Sequence, residues 1–247
     1  MFTNPSYFLD VIDYFKLLQI DYTKHITDNS LTIEANKKKF SFYPINAIVL
    51  MEKNEHRIIV HQDLWVHRNT QVKSRLKSLL GLNKKIHARQ CTIMQIEKLA
   101  AEVFMNENHI GGYYKSAYKY GLFYDDELYA VATFSKGRKM NRLAEEQRSY
   151  ELLGFATKTN YTIVGGFDKL IKFFSQMKKP DDIMTYVDLE WSDAKSFTNL
   201  GFEVVGQSEP ITFFIDEKFV RHKAATNEKI MVEVKNLGNI KLVKKLC

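Results

Sequence analysis

YTIVGGFDKLIKFFSQMKKPDDIMTYVDLEWSDAKSFTNLGF, residues 161–202, is the stretch whose order of parts decides the fold. Tyr161 to Val164 is aromatic and β-branched, a composition that suits a half-buried pleated surface. Gly165 and Gly166 interrupt it. Beyond them Leu170, Ile171, Phe173 and Phe174 fall at helical spacing. Asp181-Asp182 punctuates the chain, Ile183 to Val187 reads as a second strand ending at Asp188, and a second helix is expected from Ser192. Leu200-Gly201-Phe202 closes the segment before a strand at Glu203 to Val205. A glycine turn between a strand and a helix has two readings. It lets backbone N–H groups approach an anion at the helix N-terminus, or it only makes a tight turn; Gly165, Gly166 and the nearby Lys169 are the candidate anion-binding residues.

Upstream of this stretch, NENHIGGYY places His109 in a glycine-flanked turn after a helical run. It is either a proton-transfer residue or the helix C-cap. YGLFYDDELYAVATF, residues 120–134, is a hairpin about Asp125-Asp126. Ser135 to Arg148 reads as a polar loop carrying Lys136, Arg138, Lys139 and Arg142, and Tyr150 to Thr157 as a strand. Lys84 to Cys91 is expected to be a strand and Met94 to Phe104 a helix. Near the N-terminus, residues 2–20 have a helical apolar face, 31–62 read as a β meander of LTIEA, KFSFYP, AIVLMEK and HRIIVHQ, and Val72 to Leu80 as a helix. The tail from Phe213 to Leu246 is expected to add a terminal hairpin.

The run VGGFDKL, TYVDLEWSDA and FTNLGF resembles the coenzyme-A-binding half of the GCN5-related N-acetyltransferase superfamily. The wider order is His109-x-Gly-Gly, hairpin, Tyr-Glu-Leu strand, Gly-Gly helix, Tyr-Val-Asp strand, Trp-Ser and LGF. It resembles the phage Mom-type DNA-modification proteins over about 88–217. HQDLWVHRNTQVKSRLKSLLG with IHARQCTI resembles a module of homing endonucleases related to very short patch repair nucleases. These resemblances imply an α+β fold: an acetyltransferase-like, mixed and mostly antiparallel sheet flanked by helices over 88–247, after a small, degenerate nuclease-like α+β module over 1–87. They imply acetyl-CoA or another acyl-CoA as donor at the Gly165-Gly166 turn, and His109, Glu151 and Asp188 as catalytic residues. Ser192 is either a substitute acid or the N-cap of the last helix. Departures are Gly154 where many relatives carry arginine, and Phe197 where they carry tyrosine. Only Glu34 and Glu52 are suggestive acids for a nuclease, and no metal site is expected.

Charge points to the partner. The 247 residues carry a net charge of +7. Residues 67–90 hold Arg68, Lys73, Arg75, Lys77, Lys84, Lys85 and Arg89 with no acid, and 218–247 are again strongly basic. Either DNA is bound there, with Lys136 and Arg138 adding contacts, or the lysines are a solvated surface. No apolar run is long enough for a membrane span, the N-terminus lacks the bases of a signal peptide, and the two cysteines lie far apart, so a cytoplasmic protein is expected. Three functions follow: group transfer acting on DNA, a DNA-binding module without catalysis, or acylation of a small molecule or protein. The oligomeric state is left open.

Overall fold

The computed structural model describes residues 5–45, 47, 57–141, 146–225 and 231–246. In chain order the first elements are helix α1 (Pro5–Leu17), strands β1 (Thr23–Ile26), β2 (Leu31–Ala35), β3 (Lys38–Tyr43) and β4 (Ile58–His61), and helix α2 (Gln62–His67). Then come α3 (Asn69–Leu79), β5 (Lys84–His87), β6 (Thr92–Gln95), α4 (Lys98–Asn108), β7 (Tyr118–Tyr124), β8 (Glu127–Phe134), β9 (Arg138–Asn141) and β10 (Glu146–Thr157). They are followed by β11 (Tyr161–Val164), α5 (Gly166–Lys178), β12 (Asp182–Asp188), α6 (Lys195–Thr198) and β13 (Glu203–Gln207). The chain ends in β14 (Thr212–Ile215), β15 (Arg221–His222), β16 (Val232–Lys235) and β17 (Asn239–Lys245).

Two compact units share these elements. The first comprises 1–69, 188–193 and 208–239; the second comprises 70–187, 194–207 and 240–247. Against an expected boundary at residue 87, residues 70–87 group with the second unit, and the first draws on two later segments.

The first unit has a four-stranded sheet in the order β1-β2-β3-β4 and a three-stranded sheet in the order β15-β14-β16. Aromatic rings fill its core: Phe15 packs on Phe40 and Phe42, and Trp65 packs edge-on against Tyr14 and Phe42. The Trp65 indole N–H, costly to bury unpaired, donates to Asp10 at 2.7 Å. The expected meander is corrected at its end, because β4 runs parallel to β3. Most of the AIVLMEK segment lies outside the described residues.

The second unit carries an eight-stranded sheet in the order β13-β17-β12-β10-β8-β7-β6, with β9 also paired to β10. Within this sheet, of the registers described, only β10–β12 is parallel; β6–β7, β7–β8, β8–β10, β9–β10 and β13–β17 are antiparallel. This is the mixed, mostly antiparallel α+β sheet read from the sequence. Helix α5 covers one face through Leu170, Ile171 and Phe174, whose ring stacks on Phe134 at 3.8 Å. Helix α4 covers the other with Ala101, Phe104 and Met105 against Val131 and Ala156.

Five local expectations are corrected. Residues 138–141 and 146–149 pair antiparallel in β9 and β10 rather than lying in a loop, because backbone pairing does not need apolar side chains; residues 142–145, Arg142 among them, lie outside the described residues. Lys84 to Cys91 breaks at a 3₁₀ turn over Ala88–Gln90, and the helix expected from Met94 starts at Lys98 because Thr92–Gln95 pairs with β7. The last helix is one turn long, with Ala194 rather than Ser192 at its N-cap. The expected terminal hairpin does not form: β16 pairs with β14, and β17 with β13.

Candidate active site

The centre of the large sheet is open. β10 and β12 pair in parallel from Ser149↔Asp182 to Leu152↔Thr185, where the register ends. Thr185 secures that last rung by donating its hydroxyl to the Leu152 carbonyl at 3.0 Å. Beyond it β10 continues to Thr157, held on its other side by β8. Backbone groups of β10 that point towards β12 past Leu152 therefore have no strand partner there among the described residues, and unpaired backbone groups seek a ligand or water.

Alternation assigns the side chains around this opening. Tyr150 and Leu152 enter the core under α5, so Glu151, half-buried between them, lies on the α4 face. Ser135 fixes its backbone: the Glu151 N–H donates to the Ser135 hydroxyl at 2.9 Å, and the Ser135 N–H donates to the Glu151 carbonyl at 2.9 Å. In β12, Ile183 and Val187 join the α5 core, which leaves Tyr186 exposed on Glu151's face, two residues past Met184, the partner of Glu151. The sequence reading quoted Tyr186 but did not single it out; its alternation with Val187 was the available signal.

His109 ends α4 as its C-cap, with its N–H donating to the Met105 carbonyl at 2.9 Å. Its ring Nδ1 accepts the Gly111 N–H at 3.1 Å. A neutral imidazole bound in this way carries its proton on Nε2 and presents a donor, not a base. Gly154 faces α4: a Cβ there would lie 2.8 Å from Cε at the end of the Met105 side chain.

At the N-terminus of α5 a pocket of about 680 Å³ is lined by His87, Arg89, Gly165, Asp168, Lys169, Lys172 and neighbouring apolar side chains. The parallel β5–β11 pair builds it by setting His87 opposite Val164. Gly165 is the N-cap at φ +77°, and a Cβ on it would approach only Ala88, at 3.8 Å. Gly166 answers to packing instead, since a Cβ there would sit 2.8 Å from Ile163. Lys169 donates to the Ala88 and Cys91 carbonyls at 2.8 and 2.5 Å, which uses two of its three N–H groups to tie the 3₁₀ turn to α5. Lys172 pairs with Asp168 at 2.7 Å. Three cations against one acid, beside the open N–H groups of a helix N-terminus, make a seat that fits an anion.

Asp188 and Ser192 belong to the first unit. Asp188 shapes a tight turn: its carboxylate accepts the Glu190 N–H at 2.8 Å, and its carbonyl accepts the Trp191 and Ser192 N–H groups, each at 3.1 Å. Burial, with the nearby Glu190 charge, pushes its carboxyl up to about 7, against the opposing pull of the Glu190 N–H, Arg221 and His61. Within the same unit His61 Nε2 lies 2.9 Å from Glu190 Oε1, both fully buried, and Arg221 donates to both oxygens of the buried Asp63 carboxylate.

The residues expected at DNA fall on several elements. Arg68 is the C-cap of α2 in the first unit. On α3, Lys77 donates to Asn160 at 2.8 Å, and Arg75 lies exposed about 200° around the helix from Lys73. Lys136 and Arg138 are exposed at the β9 hairpin. A denser set is Lys84, Lys85, His87 and Arg89, all exposed on β5 and the turn after it. Glu34 is exposed on β2, Glu52 lies outside the described residues, and no group of three or more His, Cys, Asp or Glu suited to a metal occurs among the described residues. No helix there is long and apolar enough to cross a membrane.

No protein-family model matches the chain, and no curated protein matches its sequence. Solved structures that are similar include an acetyltransferase of Bacillus subtilis in complex with CoA, 14% identical, with a TM-score of 0.42 over 64% of this chain and 99% of that one. Naa50 of Arabidopsis thaliana with the bisubstrate analogue CoA-Ac-MVNAL is 12% identical, with a TM-score of 0.44 over 64% and 99%. A GNAT family acetyltransferase from Elizabethkingia anophelis with acetyl-CoA bound is 12% identical, with a TM-score of 0.40 over 64% and 99%.

Proposed function

We propose that the second unit transfers an acyl group from acyl-CoA to an amine, with a base in DNA as the acceptor. The observation that carries this reading is the parting of β10 and β12 beyond Leu152 and Thr185. It connects the α5 face, where the anion pocket lies, with the α4 face, where Glu151 and Tyr186 stand. Arg89, Lys172 and the N–H groups at Gly165 and Gly166 would hold the donor's phosphates. When bound, an acyl-CoA supplies an activated thioester carbonyl. Backbone N–H groups of β10 that face the opening would polarise that carbonyl. Glu151 would take the proton of the attacking amine, directly or through water, and the Tyr186 phenol would give one to the departing sulfur as the C–N bond forms and the C–S bond breaks. The exposed cations of β5 support a polyanionic acceptor.

A second reading, a DNA-binding module without catalysis, is supported by the two glycines, each of which has a local reason of turn or packing to be there. Calorimetric titration with acetyl-CoA separates the two. The first reading expects binding that Lys172→Glu together with Arg89→Glu weakens about a hundredfold, at roughly 1.4 kcal/mol per lost contact. It also expects a heavier nucleoside in DNA from cells carrying the wild-type chain and none with Glu151→Gln. Tight, salt-dependent DNA binding without acetyl-CoA binding would leave the second reading standing.

A further inference from the structure

The β12–β17 pair brings an unanswered cation to the sheet face that carries Glu151. Two backbone bonds bracket the pair: the Leu246 N–H donates to the Asp181 carbonyl at 2.8 Å, and the Leu189 N–H to the Gly238 carbonyl at 3.2 Å. Both fit one antiparallel register, which sets Tyr186 opposite Lys241 and Met184 opposite Val243. On β17, Ile240 and Leu242 join the core under α5, and Lys244 follows them by donating to the Leu200 carbonyl. Lys241, Val243 and Lys245 therefore stand on the α4 face, with Tyr186 and Glu151. Lys241 is half-buried, and among the described residues its ammonium has no hydrogen-bond or ion-pair partner. Glu203, opposite Val243 on β13, is exposed, and the exposed Lys245 further along β17 offsets its charge. A cation that has lost part of its hydration without meeting an anion favours an anionic ligand.

The place of that anion narrows the acceptor. Neighbouring strands lie about 4.8 Å apart, so Lys241, two strands from Glu151, stands about 10 Å from it across the sheet. Tyr186 lies on the strand between them. An acceptor spanning this distance presents its amine at Glu151 and a negative charge at Lys241. The amine of a protein lysine is protonated near pH 7 and would meet a like charge there. The exocyclic amine of a nucleobase is neutral, and its own chain supplies a phosphate. Inside a duplex that base is held in the stack, so it must come from a single strand or be turned out of the helix. Resting on the acyl-transfer reading, we propose that Lys241 binds a backbone phosphate of single-stranded nucleic acid and so brings the base it carries to Glu151. Donor and acceptor phosphates are then held on opposite faces of the sheet, one at α5 and one at β17.

The test measures binding of the full chain to a short single-stranded oligodeoxynucleotide of mixed sequence, by fluorescence anisotropy over a range of salt concentrations, and to acetyl-CoA by calorimetry. Lys241→Gln is expected to weaken oligonucleotide binding about fivefold at low salt. It is also expected to flatten the slope of log Kd against log salt by about 0.7, the share of one phosphate contact on a single strand. A purely structural role for the side chain would leave that slope alone. Lys241→Arg is expected to keep the slope of the wild type, and neither variant is expected to change the affinity for acetyl-CoA. Lys241→Met retains the aliphatic stem and is expected to act as the glutamine variant does, which keeps the test alive where that variant does not fold. Annealing the oligonucleotide to its complement is expected to abolish the effect of Lys241. A slope that neither charge-removing variant changes, or an equal effect on the duplex, overturns the inference and leaves the acyl-transfer reading standing. Wild-type binding of acetyl-CoA without binding of the oligonucleotide overturns the inference and leaves the donor site standing. Failure of the wild type to bind acetyl-CoA overturns the acyl-transfer reading and the inference with it.

Discussion

Asp188 shows how a single carboxyl ties its turn to pH. Burial is the main cause of its rise from 3.8 to about 7, and the Glu190 charge adds to it. The folded state therefore holds the proton more tightly than the unfolded state does. The resulting stabilisation is full below the unfolded value, is lost progressively as pH rises from about 4 to about 7, and stays lost above that. Urea midpoints measured between pH 4 and 8 are expected to fall across this window in the wild type, and to fall less in Asp188→Asn. A wild-type curve that rises monotonically to pH 7 would contradict the assignment. At this scale the sequence was partly legible. Asp188 and the two glycines stood out because of their residue types, yet their reasons did not: positive φ at Gly165, contact with Ile163 at Gly166, and a turn sealed by the Glu190 N–H. Which nitrogen of His109 carries the proton depends on the Gly111 N–H, and no residue type announces that.

Among the elements, β10 carries most consequence. Its pattern YELLGFAT places apolar side chains at Tyr150 and Leu152, then at Phe155, a spacing of two followed by three. That change of step was the visible trace of a one-residue bulge at Leu153. It could not be read as one without β8, whose Phe134 and Thr133 fix the register on either side. Deleting Leu153 removes the extra residue and joins Leu152, opposite Phe134, directly to Gly154, opposite Thr133, so the strand alternates regularly and every other side chain keeps its face. The expected outcome is that the near-ultraviolet circular dichroism of the aromatic core is retained. Its loss would mean that the bulge itself, and not the register on either side of it, holds the rings in place. Helix α5 was legible from its apolar spacing, and the β7–β8 hairpin from Asp125-Asp126, both of which adopt positive φ. The β9 strand was not, because Lys136 to Arg148 has no apolar alternation and its order comes from pairing with β10.

Over the whole molecule, the first unit depends on partners far apart in the chain. Arg221 answers Asp63, His61 answers Glu190, and Ile45 packs with Ile215 and Val234. Such pairings lie beyond local sequence reading, which sees periodicity and turn chemistry only over short windows; the boundary expected at residue 87 came from those windows. Arg221→Met leaves a carboxylate buried without its cation, and the expected loss is about 3–5 kcal/mol in urea unfolding, recovered in part by pairing it with Asp63→Leu. A loss below 1 kcal/mol would mean that the pair contributes little.

The division of the chain also sets an order of events during synthesis. Residues 1–69 leave the ribosome first, yet the segments that complete their unit follow only at 188–193 and 208–239. At ordinary elongation rates that gap lasts roughly 10–30 s. Throughout it, the ionisable side chains of His61 and Asp63 have no native partner to meet. The part made earliest is thus among the last to be finished, and it spends the interval as a client for whatever shields nascent chains.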